Sequence, residues 1–493
     1  MPANVLIARD AAAWMRLGVP IAFQYDLATS PNLSAAFVHG ASGAYQMRAT
    51  ALLRTTVEEL RDGRFRVQAI LLDVATQRNR QVIEAGASSE EALLPTLNSV
   101  AKQIESRSTS FSTASVRALQ EFTAAAESSD LQQRIHDLRA AVEADPNFGL
   151  AYMLLLNTVA LTGEQNTAAA MQQVTNRFTA FTPLDQARLN EIMARLKHAG
   201  LKEQEKVAAA VLKLAPNDVD TLAALGATRF LQGDAEGGRR FLQRASELSP
   251  DNDKIRRDLA HGLIQTRRYA EAGKLLTNPA DLAVCLLLQG NVSQANATMQ
   301  KMIESLSSAD LKTLFRANWL AVSGDVNKAI ETVRGATFTN PPAHAAGLVQ
   351  VAFWQCMTHD FAGAQRSAAQ AFRLAGSRGT LTAIAQLLTR ASEPPAQWRS
   401  QVEAASQDKS SAQTLLGYGF FLYGRYPEAV QVWEQIVNQS GDTDLHARAM
   451  LAASLEHAGR AGEARRVRVQ PFVPEFGDIY APISFNEMRR LIQ

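Results

Sequence analysis

The chain has 493 residues, with 50 basic and 48 acidic side chains and a net charge of +2. That balance argues against a nucleic-acid or anionic-membrane footprint, and the lack of any run of about 18 apolar residues argues against a transmembrane helix. The two cysteines, Cys285 and Cys356, lie in apolar stretches and read as buried free thiols. The first ten residues have no basic n-region and no long apolar core, so as written they are not a secretory signal. The chain therefore reads as cytoplasmic, or as periplasmic if an export signal preceded Met1.

Residues 1–108 have their own pattern. Pro20–Leu27 alternates enough to predict a strand, and Phe65–Val74 predicts a second. Asp62-Gly63 before it signals a tight hairpin turn, so Ala51–Leu60 should hold the partner strand, although that run also fits a helix. Arg80–Gly86 reads as a further strand. Ser88-Ser-Glu-Glu91 offers a capping box for a helix through Leu93, Leu97, Val100 and Ile104, with Pro95 marking a start or kink. Gly40-Ala-Ser-Gly43 has no following Lys and reads as a plain loop rather than a phosphate cradle.

The run Leu53–Gln77 resembles the amino-terminal domain of TolB and small α/β domains of envelope lipoproteins. Arg66-Val67, Leu72-Asp73 and Thr76 match that family's pattern, while Gln77 stands where Gly is usual. The resemblance covers about 60 residues and implies a small α/β domain in a bacterial protein of assembly or sensing.

After residue 108 one turn recurs. Gly163, Gly200, Gly233, Gly290, Gly324, Gly424 and Gly459 mark it, and Arg267, His359 and Ser392 fill the missing slots. The intervals are 37, 33, 34, 23, 34, 35, 33, 32 and 35 residues. Pro146, Pro183, Pro216 and Pro250 repeat the period as helix terminators. A helix-turn-helix unit of 34 residues resembles the tetratricopeptide repeat (TPR). Val219–Asn252 fits it through Leu222, Leu225, Gly226, Gly233, Leu242, Ala245 and Pro250, with Gly238 in place of the usual Ala. The unit from Ser410 to Asp444 fits through Gly417, Phe420, Gly424, Tyr426, Ala429 and Trp433. Between Arg267 and Gly290 the second helix must be cut short near Asn278-Pro279. A double proline, Pro394-Pro395, disturbs the turn near Ser392. The fold expected is a mostly α TPR-type solenoid of about nine or ten units over 109–470. A small α/β domain over 1–108 precedes it. A tail over 471–493 follows, capping the last repeat through Phe472, Phe476 and Tyr480.

No motif in the sequence carries catalysis. There is no Walker A run, His-Glu-x-x-His, Cys-x-x-Cys or Gly-x-Ser-x-Gly, and the eight histidines are scattered. The expectation is a non-enzyme with no cofactor and no metal. The TPR resemblance implies that the first helix of each unit lines a concave groove. Counting from the turn glycine, the groove slots hold Asn157, Asn190, Lys197, Arg257, His261, Asn318, Phe353, Tyr418 and Phe421. Polar and basic slots suit an extended peptide, and aromatic slots suit an apolar helix or a neighbouring subunit. Arg256-Arg257 with Arg267-Arg268, and Arg465-Arg466 with Arg468, read as solvated faces diluted by acidic neighbours, or as a site for an acidic partner. The function read from the sequence is a scaffold that binds a protein or peptide in the groove, with neither nucleic acid nor a membrane as partner. A self-associating envelope subunit and a ligand sensor relayed through the repeats are the alternatives.

Overall fold

The structure is a computed structural model that describes residues 1–7, 12–38, 41–375, 395–405, 409–440, 444–467, 482–483 and 485–487. The Ser392 slot and the expected cap residues Phe472, Phe476 and Tyr480 lie outside that set. The chain divides into two compact units, 1–256 and 257–493, so the expected boundary at residue 108 falls within the first.

The first unit opens with β1 (Asn4–Leu6), α1 (Met15–Leu27), α2 (Ala41–Gln46), β2 (Ala51–Glu59), β3 (Phe65–Asp73), β4 (Asn79–Ala87) and α3 (Leu93–Ile104). The sheet order is β1-β2-β3-β4, with β1 parallel to β2 and the remaining pairs antiparallel. Alternation along β2 and β3 turns Val57, Phe65, Val67 and Ala69 into the core against α1 and α3. The opposite face carries Leu52 and Leu72, which cluster with Val38 and Ala44. The Asp62-Gly63 hairpin forms as expected, with Gly63 at φ 79° and its N–H donating to the Leu60 carbonyl. At the next hairpin Asp73 Oδ1 accepts from the Thr76 N–H (2.8 Å) and hydroxyl (2.9 Å), and Gln77 takes φ 57°. The Asp and Thr of this run therefore close a turn.

The strand expected over Pro20–Leu27 is instead the end of α1. Met15, Val19, Ala22, Phe23 and Asp26 are buried at helical spacing, and burial on several sides gave the run its false alternation. Pro20 leaves the Arg16 carbonyl without its helical donor, and the Ala3 N–H takes it at 2.9 Å. The capping box does not form, because α3 begins beyond it at Leu93 with no side-chain cap. Pro95 sits in the first turn, where a missing N–H costs nothing.

Helix pairs follow: α4 (Val116–Glu127) with α5 (Leu131–Ala144), α6 (Gly149–Val159) with α7 (Glu164–Arg177), α8 (Pro183–Leu196) with α9 (Leu201–Leu214), and α10 (Val219–Leu231) with α11 (Ala235–Leu248). One apolar cluster runs from the sheet through α1 and α3 into α4–α8. α12 (Asp253–Gln265) carries the division between units. The second unit holds α13 (Tyr269–Leu275), α14 (Pro279–Leu288), α15 (Val292–Ser305), α16 (Ala309–Val322), α17 (Val326–Arg334), α18 (Pro341–Met357) and α19 (Phe361–Ala375). It continues with α20 (Pro395–Ala405), α21 (Lys409–Leu422), α22 (Tyr426–Ser440), α23 (Leu445–His457) and α24 (Ala461–Val467). α13 spans only seven residues, as the 23-residue interval requires. Pro146, Pro216 and Pro250 follow helix ends, whereas Pro183 opens α8 at its first position.

The turns explain the period. Gly233, Gly290, Gly324, Gly424 and Gly459 all have positive φ, and Arg267 (60°) and His359 (62°) hold a left-handed φ without glycine, while Gly163 (φ 120°, ψ 166°) stands apart as the N-cap of α7. Gly200 does not, since its φ is −60° and the left-handed residue of that turn is His198 (50°). The interval from His198 to Gly233 is then 35 residues rather than the 33 counted from Gly200. Arg267→Gly removes a strained side-chain conformation and should stabilise the second unit by about 1 kcal/mol, read as a raised urea midpoint. Gly238 is also explained. A Cβ there would stand 2.7 Å from the Phe230 ring and 2.9 Å from the Gly226 carbonyl, so α10 and α11 meet almost backbone to backbone.

Cys285 and Cys356 are both buried, and burial pushes their thiols up to about 11 and about 12. No helix among the described residues is long and apolar enough to cross a membrane.

Candidate functional site

In the first unit the first helices of successive pairs share one face. Leu150, Met153 and Asn157 of α6, Arg188, Glu191, Ile192 and Arg195 of α8, and Ala223, Ala224 and Thr228 of α10 line a groove of about 1060 Å³. Lys254 and Ile255 of α12 extend it. Its opposite wall is Gln24 and Tyr25 of α1, Ala28 at its C-cap, and the irregular segment Leu33–Ala36.

The groove carries polar side chains that brace one another among apolar neighbours. Arg188 Nη2 lies 2.6 Å from Asp218 Oδ2, and its guanidinium stands over the Tyr25 ring at 5.8 Å. The Tyr25 hydroxyl donates to Asp185 Oδ1 at 2.8 Å, and the Ser112 hydroxyl donates to Asp185 Oδ2 at 2.6 Å. Burial raises the Asp185 carboxyl and the Tyr25 hydroxyl above their usual ranges. Glu191 accepts from the Thr221 hydroxyl at 2.9 Å, and burial pushes its carboxyl up to about 7. Arg195 Nη2 donates to the neutral Asn157 carboxamide at 2.7 Å. The groove therefore offers an exposed guanidinium beside a carboxyl that burial shifts toward its protonated form.

Asn217, between α9 and α10, reads main chain. Its Nδ2 lies 3.4, 3.2 and 3.1 Å from the carbonyl oxygens of Ser30, Pro31 and Leu33. The Ser30 hydroxyl donates to Glu105 Oε2 at 3.0 Å, which fixes the start of the segment.

Of the slots read from the sequence, Asn157 lies in this groove. Asn190 on α8 and Lys197 just past its end are exposed but do not line it. Counting from His198 instead of Gly200 moves those slots back two residues, onto Arg188 and Arg195, which do. The uneven intervals of 37 and 33 were the signal for that shift. Arg257 is exposed and His261 half-buried, both in the second unit. Asn318, Phe353, Tyr418 and Phe421 are 2%, 0%, 0% and 6% exposed, so they pack between helices and present no surface. The Tyr418 hydroxyl bonds His446 Nε2, and its ring meets Trp433 edge-on at 5.2 Å. Of the arginine clusters, Arg256 pairs with Asp253 and Arg268 with Glu271, and Arg468 lies outside the described residues.

These paired helices, joined by turns with a left-handed residue at a period near 34, settle the architecture. The fold is a TPR-like helical solenoid behind a small α/β domain. No protein-family model and no curated protein matches the chain. Solved structures do. Naa15/Naa10 bound to HypK-THB is similar at 13% identity and TM-score 0.25, over 65% of this chain and 62% of that one. The chain thus matches just under two thirds of that protein's length. The P58(IPK) TPR domain is similar at 13% identity and TM-score 0.19, over 75% of this chain and 94% of that domain.

Proposed function

We propose that this protein is a non-enzymatic scaffold that binds an extended, acidic segment of a partner protein along the groove of its first unit. Residues 1–108 then form a module built onto the first repeats, 109–470 the repeats, and 471–493 a tail. The observation that carries the reading is the Asn217 carboxamide, whose Nδ2 already faces main-chain carbonyls of the Ser30–Leu33 segment at this groove. An extended main chain offers such groups whatever its side chains, so polar readers along a groove suit a peptide. Arg195 and Lys254 bring positive charge, set against Glu191 and Asp220, whose carboxyls burial raises toward the neutral form. That balance favours a ligand with carboxylates.

The test uses a peptide selected from a random library on the intact chain, with affinity read by fluorescence anisotropy. Arg195→Glu, at an exposed side chain, should weaken binding at least tenfold while helix content stays unchanged. Binding should tighten as pH falls from 8 to 6 and Glu191 takes up its proton, and Glu191→Gln should remove that dependence. Equal affinity for the Arg195→Glu chain would place recognition elsewhere.

A further inference from the structure

The described end of the chain reaches two apolar clusters of the second unit. Phe485 is fully buried in the cluster formed by α14, α15 and α16, with Met299, Trp319 and Val322. Ile483, 1% exposed, belongs to the cluster of the later repeats. Asn486 Nδ2 donates to the Ala321 carbonyl of α16 at 3.1 Å, and Glu487 Oε2 lies 3.2 Å from His457 Nε2 at the end of α23. Consecutive Cα atoms are only about 3.8 Å apart. Two adjacent tail residues thus bridge positions 321 and 457, on helices of different repeats.

We propose that this tail segment is an internal ligand. The site beneath it recognises, in trans, a partner segment that carries an aromatic anchor followed two residues later by a carboxylate. The chemistry is that of a linear-motif site. The apolar cluster takes the ring, a helix carbonyl takes a side-chain amide, and an imidazole meets the acid. Buried aromatic anchors of this kind carry most of the energy of small interfaces. Because the tail is tethered, its effective concentration is on the order of millimolar. It therefore outcompetes a free segment of equal affinity, and the site is masked until its own anchor is displaced.

The probe is a fluorescein-labelled peptide of residues 479–491 of this chain, titrated with full-length proteins. The intact chain should bind it weakly, and Phe485→Ala should bind it at least tenfold more tightly. A peptide carrying the same Phe485→Ala change should not bind the vacated site. A Phe485→Ala chain with intact helix content and no gain in binding overturns the proposal, as does tight binding by the intact chain. Should Phe485→Ala not fold, Glu487→Gln keeps the anchor and loosens the tail. It should raise peptide binding severalfold, and no change overturns the proposal. Dimerisation of the intact chain that Phe485→Ala abolishes would make a second copy the occupant and overturn the assignment to a different partner. This inference concerns the second unit and stands or falls apart from the groove of the first.

Discussion

Trp433→Ala is expected to destabilise the second unit by about 3–5 kcal/mol, the usual cost of deleting a buried indole. Trp433 is 1% exposed, and its ring lies against Gly417 of α21, where a Cβ would stand 2.6 Å from the indole. The same ring meets Tyr418 edge-on. The glycine exists for that ring, so Gly417→Ala should cost about 1–3 kcal/mol by overpacking. The indole N–H has no hydrogen-bond partner among the described residues, so Trp433→Phe loses volume but no bond. Gly417→Ala combined with Trp433→Phe should then cost less than the two separate losses together, because the methyl fills space the smaller ring vacates. Urea unfolding of the four variants measures this. Strict additivity would mean that the two residues do not pack as described.

Asp26→Asn is expected to make the first unit markedly less sensitive to pH. Asp26 is fully buried in α1, and neither carboxyl oxygen has a hydrogen-bond partner among the described residues. Burial raises its carboxyl from an ordinary value near 3.8 to about 8, with Lys102 pulling it back. A raised carboxyl keeps its proton in the folded chain after the unfolded chain has lost it. Stability therefore falls as pH rises from about 4 to about 8, at up to about 1.4 kcal/mol per pH unit. Below pH 4 the residue contributes no dependence, and above pH 8 the loss is complete. Asparagine has no proton to lose, so the variant should gain on the parent steadily from pH 5 to pH 8. Parallel stability profiles for the two chains would contradict this account of Asp26.

The repeats were legible because their turn imposes a local rule. A left-handed residue must follow each first helix, glycine supplies it most cheaply, and the spacing located Arg267 and His359 where glycine is missing. The same rule misled at Gly200, since a glycine two residues past the left-handed His198 looks identical in sequence. That slip displaced Arg188 and Arg195 from the candidate site. Pro20–Leu27 was misread because α1 is buried on several sides and lost its polar stripe. The aromatic slots Phe353, Tyr418 and Phe421 were misread for a related reason, since periodicity assigns a helix face but not its covering. Nothing local announces the contacts of Phe485 or Asn217, whose partners lie more than a hundred residues away.

Photo-crosslinking tests the central claim most directly. A benzophenone amino acid is placed at Ala224, exposed in the groove, or at Arg240, exposed on α11, and each chain is irradiated in lysate of its source cells. The groove account predicts a crosslinked partner from position 224, lost on addition of excess selected peptide, and none from position 240. A partner captured from position 240 alone would contradict it.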